Sequence, residues 1–339
     1  MTTPTNRQIL LAQRPVGVVK EGDFKLTEGA VPEAGPNELL VQNMYLSLDP
    51  AMRGWMTDRP SYMPPVALGA PMRGATISKV IQSNHSDYQP GDLVRALGGW
   101  QDYGIVRPED RLAKIPEGLP VPITSHLSIL GMTGLTAYFG LLDVGEPKAG
   151  ETVVVSTAAG AVGSIVGQIA KIRGCRVIGL TGSDEKCAWI RDELGYDGAI
   201  NYKTENIGEA LKKACPKGID VYFDNVGGEI LNACLGLINL KGRVVICGAI
   251  TQYNATEQPA GPANYLNLLI RSARMEGFIV MNYLDRAMEG GLQLAQWMTE
   301  GKLHYREDIV DGLENAPKAL LRLFDGSNQG KLIVRITPE

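Results

Sequence analysis

The chain has 339 residues, 44% of them hydrophobic and 21% charged, with a net charge of −4. This length predicts two domains with a large buried core, and the slight acidity argues against a nucleic-acid groove or an anionic membrane surface as the main partner. Five scattered cysteines (Cys175, Cys187, Cys215, Cys234 and Cys247) form no CxxC pair, which fits free thiols in a reducing compartment.

The opening stretch, MTTPTNRQILLAQRP, lacks a long apolar run with a small-residue cleavage site, so no signal peptide is expected. No stretch of about 18 apolar residues suggests a membrane span, and the expected location is the cytoplasm. Residues 7–11, 38–42, 74–82 and 91–96 read as strands. Pro60, Pro64, Pro65, Pro71 and Gly69 break up the middle. Residues 1–125 therefore predict a mostly β domain with long loops.

From 126 to 306 strands and helices alternate. The expected strands are 151–157, 176–181, 199–202, 219–224, 243–248 and 276–280. The helices between and after them are 161–174, 184–194, 207–215, 229–237, 265–274 and 286–300. Repeated βαβ units with apolar strands predict an α/β fold with a doubly wound parallel sheet. A helix near 316–324 and a strand at 331–336 follow. This last strand has no βα partner in the sequence pattern, so residues 307–339 are assigned back to the first domain.

The stretch ETVVVSTAAGAVG, Glu151 to Gly163, carries the chemistry. A β-branched run suits a strand buried on both faces. It passes through small residues into a helical pattern carrying Val162, Ile165, Val166, Ile169 and Ile172. Free N–H groups at such a helix start, with the helix dipole, bind phosphate. The dinucleotide fingerprint GxGxxG appears here as Ala158-x-Gly160-x-x-Gly163, in which the glycines admit the diphosphate and let helix pack on strand.

An NAD enzyme usually places an acidic residue about 20 positions past the fingerprint, on the ribose 2′-hydroxyl. This chain has Thr181-Gly182-Ser183 there, with Lys186 one turn into the next helix. Ser183 offers a hydrogen bond and Lys186 a cation for a 2′-phosphate, which favours NADP. Asp184 and Glu185 pull the other way, unless they only favour the helix N-terminus. Asp224-Asn225-Val226-Gly227-Gly228 and Cys247-Gly248-Ala249-Ile250 follow the fourth and fifth strands, at the sheet edge where ligands bind.

The three histidines, His85, His126 and His304, have no partner at ligand spacing, so no metal site is expected. No GxSxG elbow follows a strand either. A bound redox cofactor is then the expected carrier of chemistry.

These residues, taken together, resemble a known family. The stretches are Tyr45-Leu46-Ser47-Leu48-Asp49-Pro50 with Met52-Arg53-Gly54, Gly99-Trp100-Gln101-Asp102-Tyr103, and Gly131-Met132-Thr133-Gly134-Leu135-Thr136-Ala137-Tyr138. To these add the AAGAVGS fingerprint, Gly182 to Lys186, Phe223 to Gly228, Cys247 to Asn254, and Asp325 to Lys331. In this order they resemble the zinc-independent medium-chain dehydrogenase/reductases. Within that family the chain is similar to the leukotriene/prostaglandin reductases and alkenal double-bond reductases, especially the bacterial curcumin reductases. The resemblance implies a Rossmann-type NADP-binding domain, 126–306, inserted into a GroES-like catalytic domain, 1–125 and 307–339. It implies NADPH as hydride donor, α,β-unsaturated ketones or aldehydes as substrates, and a homodimer. A quinone reductase shares the fold and cofactor and is the first alternative; a non-catalytic NADPH-binding redox sensor is the second.

The resemblance also implies site residues. Gly160, Ala161, Val162, Gly163 and Ser164 would hold the diphosphate. Gly182, Ser183, Lys186 and Tyr202 would surround the 2′-phosphate. Thr136, Asn225, Cys247, Gly248, Ala249, Ile250, Tyr253, Phe278, Ile279, Val280 and Asn328 would line the cofactor crevice. Tyr45 and Tyr253 would face the substrate, and the α-carbon would take its proton from Tyr253, a ribose hydroxyl or water. Many relatives have an aromatic residue where this chain has Ala51, and Pro where it has Thr133, so a wider or differently shaped pocket is expected.

Overall fold

The computed structural model describes residues 5–116, 118 and 121–337, so the first four residues of the opening stretch read above lie outside it. The described chain divides into two compact units. One holds the residues up to Leu127 and those from Glu307 onward; the other is Ser128–Arg306.

In chain order the first unit begins with β1 (Thr5–Leu11), β2 (Phe24–Ala30) and β3 (Leu39–Ser47). The short helix α1 (Met52–Trp55) follows, then β4 (Thr76–Ser83), β5 (Leu93–Ala96), β6 (Tyr103–Val106) and β7 (Ala113–Lys114). β1 and β2 form an antiparallel ribbon. The others build an antiparallel sheet around β3, which pairs with both β4 and β6. Alternation explains the layering: Leu39, Val41, Val80, Val94, Ala96 and Val106 share one buried face. Tyr45 and Ile77 lie in a second cluster with Leu127 and Ile333.

The second unit opens with α2 (Met132–Phe139) and then β8 (Thr152–Ser156), α3 (Gly163–Ile172), β9 (Arg176–Thr181), α4 (Asp184–Asp192) and β10 (Gly198–Asn201). It continues through α5 (Ile207–Ala214), β11 (Ile219–Asp224), α6 (Gly228–Gly236) and β12 (Ile238–Ile246). The last part is α7 (Ile250–Tyr253), α8 (Leu266–Ile270), β13 (Arg274–Gly277) and α9 (Ala287–Thr299). The strand order is β10-β9-β8-β11-β12-β13, and every pairing is parallel. This is the doubly wound dinucleotide order, with its switch point between β8 and β11. All five residues of β8 are buried, as a central parallel strand requires.

Three expectations change. Residues 265–274 were expected as one helix, but α8 stops at Ile270 because Ser272 takes a left-handed conformation, φ 46°. That reversal lets β13 start at Arg274, before the expected 276. The closing strand also has a βα partner after all. The first unit resumes with β14 (Glu307–Asp311), α10 (Ala316–Asp325) and β15 (Lys331–Arg335), and β14 runs parallel to β15. The sequence hides β14 because it lies at the sheet edge: its charged residues outnumber Ile309 and Val310, and no residue is fully buried. β15 pairs antiparallel with β3, through Arg335 opposite Tyr45.

Candidate functional site

The switch point concentrates the second unit's functional groups. β8 ends at Ser156, and Thr157 turns the chain with φ 50°, a rare conformation for a β-branched residue. The turn continues to α3, whose start no side chain caps. Among the described residues, nothing accepts from the amides of Val162 and Gly163. Adjacent donors at a helix start are a ready anion site. Gly163 is required by crowding, since a Cβ there would sit 2.3 Å from the Thr157 carbonyl oxygen. The Tyr196 hydroxyl donates to the Gly163 carbonyl at 2.7 Å, and a Cβ at Gly167 would fall 2.0 Å from the Tyr196 ring. Tyr196 thus fixes the first turn of α3 from below. Sequence reasoning missed it, because a tyrosine after a helix carries no motif. Ser164 is buried within the same turn.

β9 delivers Gly182 and Ser183. The Ser183 hydroxyl caps α4 by accepting the Lys186 amide at 3.2 Å, which places the half-buried Lys186 side chain one turn in. Asp184, the acid that argued against a phosphate, accepts from the Asn201 side chain at 2.7 Å and is tied to β10. Gly182 approaches Tyr202 closely; a Cβ would lie 2.7 Å from its hydroxyl, so the two form one wall. Burial raises the Tyr202 phenol pKa, keeping it a donor at neutral pH.

The ends of β11 and β12 complete the crevice edge. Asn225 is anchored to β8, with its amide on the Ser156 hydroxyl at 2.8 Å and its side chain on the Ser156 carbonyl at 2.7 Å. Cys247, Gly248 and Ala249 lead into α7, which carries Ile250 and Tyr253. The Tyr253 oxygen accepts the Ala249 amide at 3.3 Å, and a Cβ at Gly248 would lie 3.1 Å from that oxygen. Burial pushes the Cys247 thiol up to about 12, so it stays protonated. The Thr136 hydroxyl donates to the Met132 carbonyl at 2.7 Å within α2. Phe278 packs edge-on against Phe223 and fills the space above Gly140, so its ring packs on the core, as does Val280, two residues on past Ile279.

Two expected residues lie in the first unit. Asn328 donates to the Gly330 carbonyl at 3.0 Å, shaping the turn before β15. Tyr45 is 2% exposed, packed among Ile77, Leu127 and Ile333. Next to them is a residue quoted in the sequence only as part of a motif. Lys331 donates to Asp49 at 2.6 Å and to the Leu48 carbonyl at 2.8 Å, while Asp49 accepts from Ser47.

No group of three or more His, Cys, Asp or Glu among the described residues is arranged to hold a metal ion. The unpartnered amides, the side-chain-free approaches at Gly163 and Gly182, and the Ser183–Lys186 cap fit a dinucleotide bearing an extra phosphate.

Comparison with known proteins agrees with this geometry. Residues 7–115 match the family described as N-terminal domain of oxidoreductase, and residues 161–297 the one described as Zinc-binding dehydrogenase. The NADPH-dependent curcumin reductase of Escherichia coli (strain K12) is 47% identical over 336 residues, covering 98% of this chain and 97% of that protein. The 2-alkenal reductase (NADP(+)-dependent) of Nicotiana tabacum is 43% identical over 341 residues, covering 99% and 98%. The crystal structure of CurA in complex with NADPH from Vibrio vulnificus superposes with a TM-score of 0.93 at 45% identity, covering 98% of this chain and all of that one.

Proposed function

The chain belongs to the zinc-independent medium-chain dehydrogenase/reductases, and from that premise we propose that it is an NADPH-dependent reductase of the carbon–carbon double bond of α,β-unsaturated ketones and aldehydes. The observation that carries the reading is the end of β9, where Ser183 and Lys186 stand at the position of a ribose-binding acid and Asp184 is bonded to Asn201 instead. The unit Ser128–Arg306 takes the cofactor and the other unit the substrate. Gly160 to Ser164 hold the diphosphate, and Lys186, Ser183, Gly182 and Tyr202 the 2′-phosphate. The chemistry that NADPH would supply there, when bound, is a hydride for the substrate β-carbon. The protein's part is to align the reactants, exclude water and stabilise the enolate oxygen. Tyr253 is assigned to that oxygen and Tyr45 to the substrate-side wall. The α-carbon then takes a proton from Tyr253, a ribose hydroxyl or water.

A panel of enones, enals and quinones assayed for NADPH oxidation tests this. Enones and enals are expected to turn over fastest and to yield products saturated at the former double bond. Faster turnover of quinones would make the chain a quinone reductase, and no turnover of any would leave a cofactor-binding sensor.

Lys186→Ala is expected to raise the KM for NADPH roughly 10- to 100-fold and leave NADH nearly unchanged, since a charge-assisted hydrogen bond contributes about 1.5–3 kcal/mol. Equal effects on both cofactors would remove Lys186 from the 2′-phosphate.

A homodimer is part of the same reading. β13 is an outer strand with every residue exposed, a ready template for pairing, and the neighbouring α8 shows Leu266, Ile270 and Leu269, the last 77% exposed. We assign this face to a second copy of the chain. Leu269→Asp with Met275→Asp is expected to halve the mass seen by sedimentation; a wild-type mass of one chain would end the assignment. No helix of the described residues is long and apolar enough to cross a membrane, and the cytoplasm is the proposed location.

A further inference from the structure

Asp224 ends β11 and is 1% exposed. Its Oδ1 receives the Tyr222 hydroxyl at 2.7 Å and the amides of Gly227 and Val226 at 2.8 and 2.9 Å. The Ser156 hydroxyl lies 3.3 Å from the same oxygen. Oδ2 is equally buried and has no hydrogen-bond partner among the described residues. The main-chain carbonyl of Asp224 accepts the amides of Cys247 at 2.9 Å and Gly248 at 3.1 Å. One residue therefore fastens together the turns that leave β8, β11 and β12. A buried carboxylate is costly unless its hydrogen bonds are well made. Here the bonds all fall on the oxygen that shapes the 225–227 turn.

That turn in turn holds α7. Gly227 adopts φ 74°, which a glycine accepts without strain. The carbonyls of Asn225 and Val226 then accept the amides of Ile250 and Thr251, each at 3.3 Å, and the Thr251 hydroxyl donates to Val226 at 2.6 Å. α7 has only four residues and no side-chain cap, so these bonds set where its last residue, Tyr253, lies. A second route runs from the Asp224 carbonyl through Gly248 to the Ala249 amide that meets the Tyr253 oxygen.

We propose that Asp224 is a positioning residue for Tyr253: its Oδ1 shapes the 225–227 turn, and the turn and the Cys247–Ala249 segment set the place of the phenol. Its effect on turnover rests on the reading that the Tyr253 hydroxyl serves the enolate.

Two measurements on the full chain test it. The first is a double-mutant cycle of Asp224→Leu, which removes the Oδ1 acceptor at similar volume, and Tyr253→Phe, read as kcat with one enone at saturating NADPH. Asp224→Leu is expected to lower kcat roughly 10-fold in the native background and by less than about 2-fold in the Tyr253→Phe background, because residues acting as a unit are not additive. The same fold loss in both backgrounds, or none in the native one, overturns the proposal. The second measurement does not depend on catalysis. With 3-fluorotyrosine at position 253, Asp224→Leu is expected to shift the fluorine resonance, and an unmoved resonance overturns the proposal whatever the kinetics. A shifted resonance together with a silent Tyr253→Phe supports the positioning and overturns only the enolate role. If Asp224→Leu does not fold, Tyr222→Phe removes one donor and keeps the carboxylate. It is expected to move the same resonance to a smaller extent, and no movement there counts against the proposal.

Discussion

Replacing Lys331 with Met is expected to cost the first unit about 3 kcal/mol, at the low end of what breaking a buried ion pair costs. The Lys331 side chain is only 3% exposed, and it holds both Asp49 and the Leu48 carbonyl. Without the ammonium, Asp49 keeps, among the described residues, the Ser47 hydroxyl as its side-chain donor, and the Leu48 carbonyl loses the Lys331 donor. The cost stays low in that range because Asp49 retains 29% of its side-chain exposure, and water supplies part of the loss. At roughly 2–4 °C per kcal/mol for a domain of this size, the thermal midpoint should fall by about 6–12 °C. The double variant Lys331→Met with Asp49→Leu should recover much of it, since no charge is then left unpaired. A single variant that melts within about 1 °C of the parent would show that the pair does not hold β15 to the chain after β3.

How much of this was legible in the sequence depends on where each residue draws its partners. The parallel sheet was legible because β8 carries a β-branched run, Thr152 to Val155, and the small residues after it form a local pattern. The cofactor preference was legible because Gly182, Ser183 and Lys186 fall within five consecutive positions. Asp184 was ambiguous, and the ambiguity ended with Asn201, seventeen positions on, which no local pattern brings to it. Tyr196 and Lys331 were silent for the same reason: their partners, Gly163 and Asp49, are 33 and 282 positions away. β14 was silent because an edge strand need not be apolar. The packing of Phe278 was silent too: its ring lies over Gly140 and against Phe223, far away in sequence, and no local pattern reports such contacts.

The cysteines make the same point chemically. The five cysteines were read as free thiols, and burial raises the thiol pKa of each, with Cys175 and Cys215 both reaching about 11. Groups held neutral in apolar surroundings are poor nucleophiles. Reducing power must then come from the bound nicotinamide, and the chain's task is to steer it.

Tyr253→Phe is the sharpest test of that steering. The phenol stands at the end of α7, and its oxygen accepts the Ala249 amide at 3.3 Å. A phenol oxygen that accepts also carries an O–H that can donate. The Phe variant keeps the ring and removes the hydroxyl. If the hydroxyl meets the developing enolate, kcat should fall about 10- to 1,000-fold with little change in the KM for NADPH, because the interaction exists mainly in the transition state. If it holds the nicotinamide ribose instead, NADPH affinity should weaken and kcat fall less. We expect a mixed result weighted toward kcat, since water or a ribose hydroxyl still delivers the α-proton when the phenol is gone. The Phe side chain also leaves the Ala249 amide without its acceptor, which adds a modest loss of stability, readable separately as a melting temperature. Unchanged kcat together with unchanged NADPH affinity would leave Tyr253 as a wall of the crevice and nothing more.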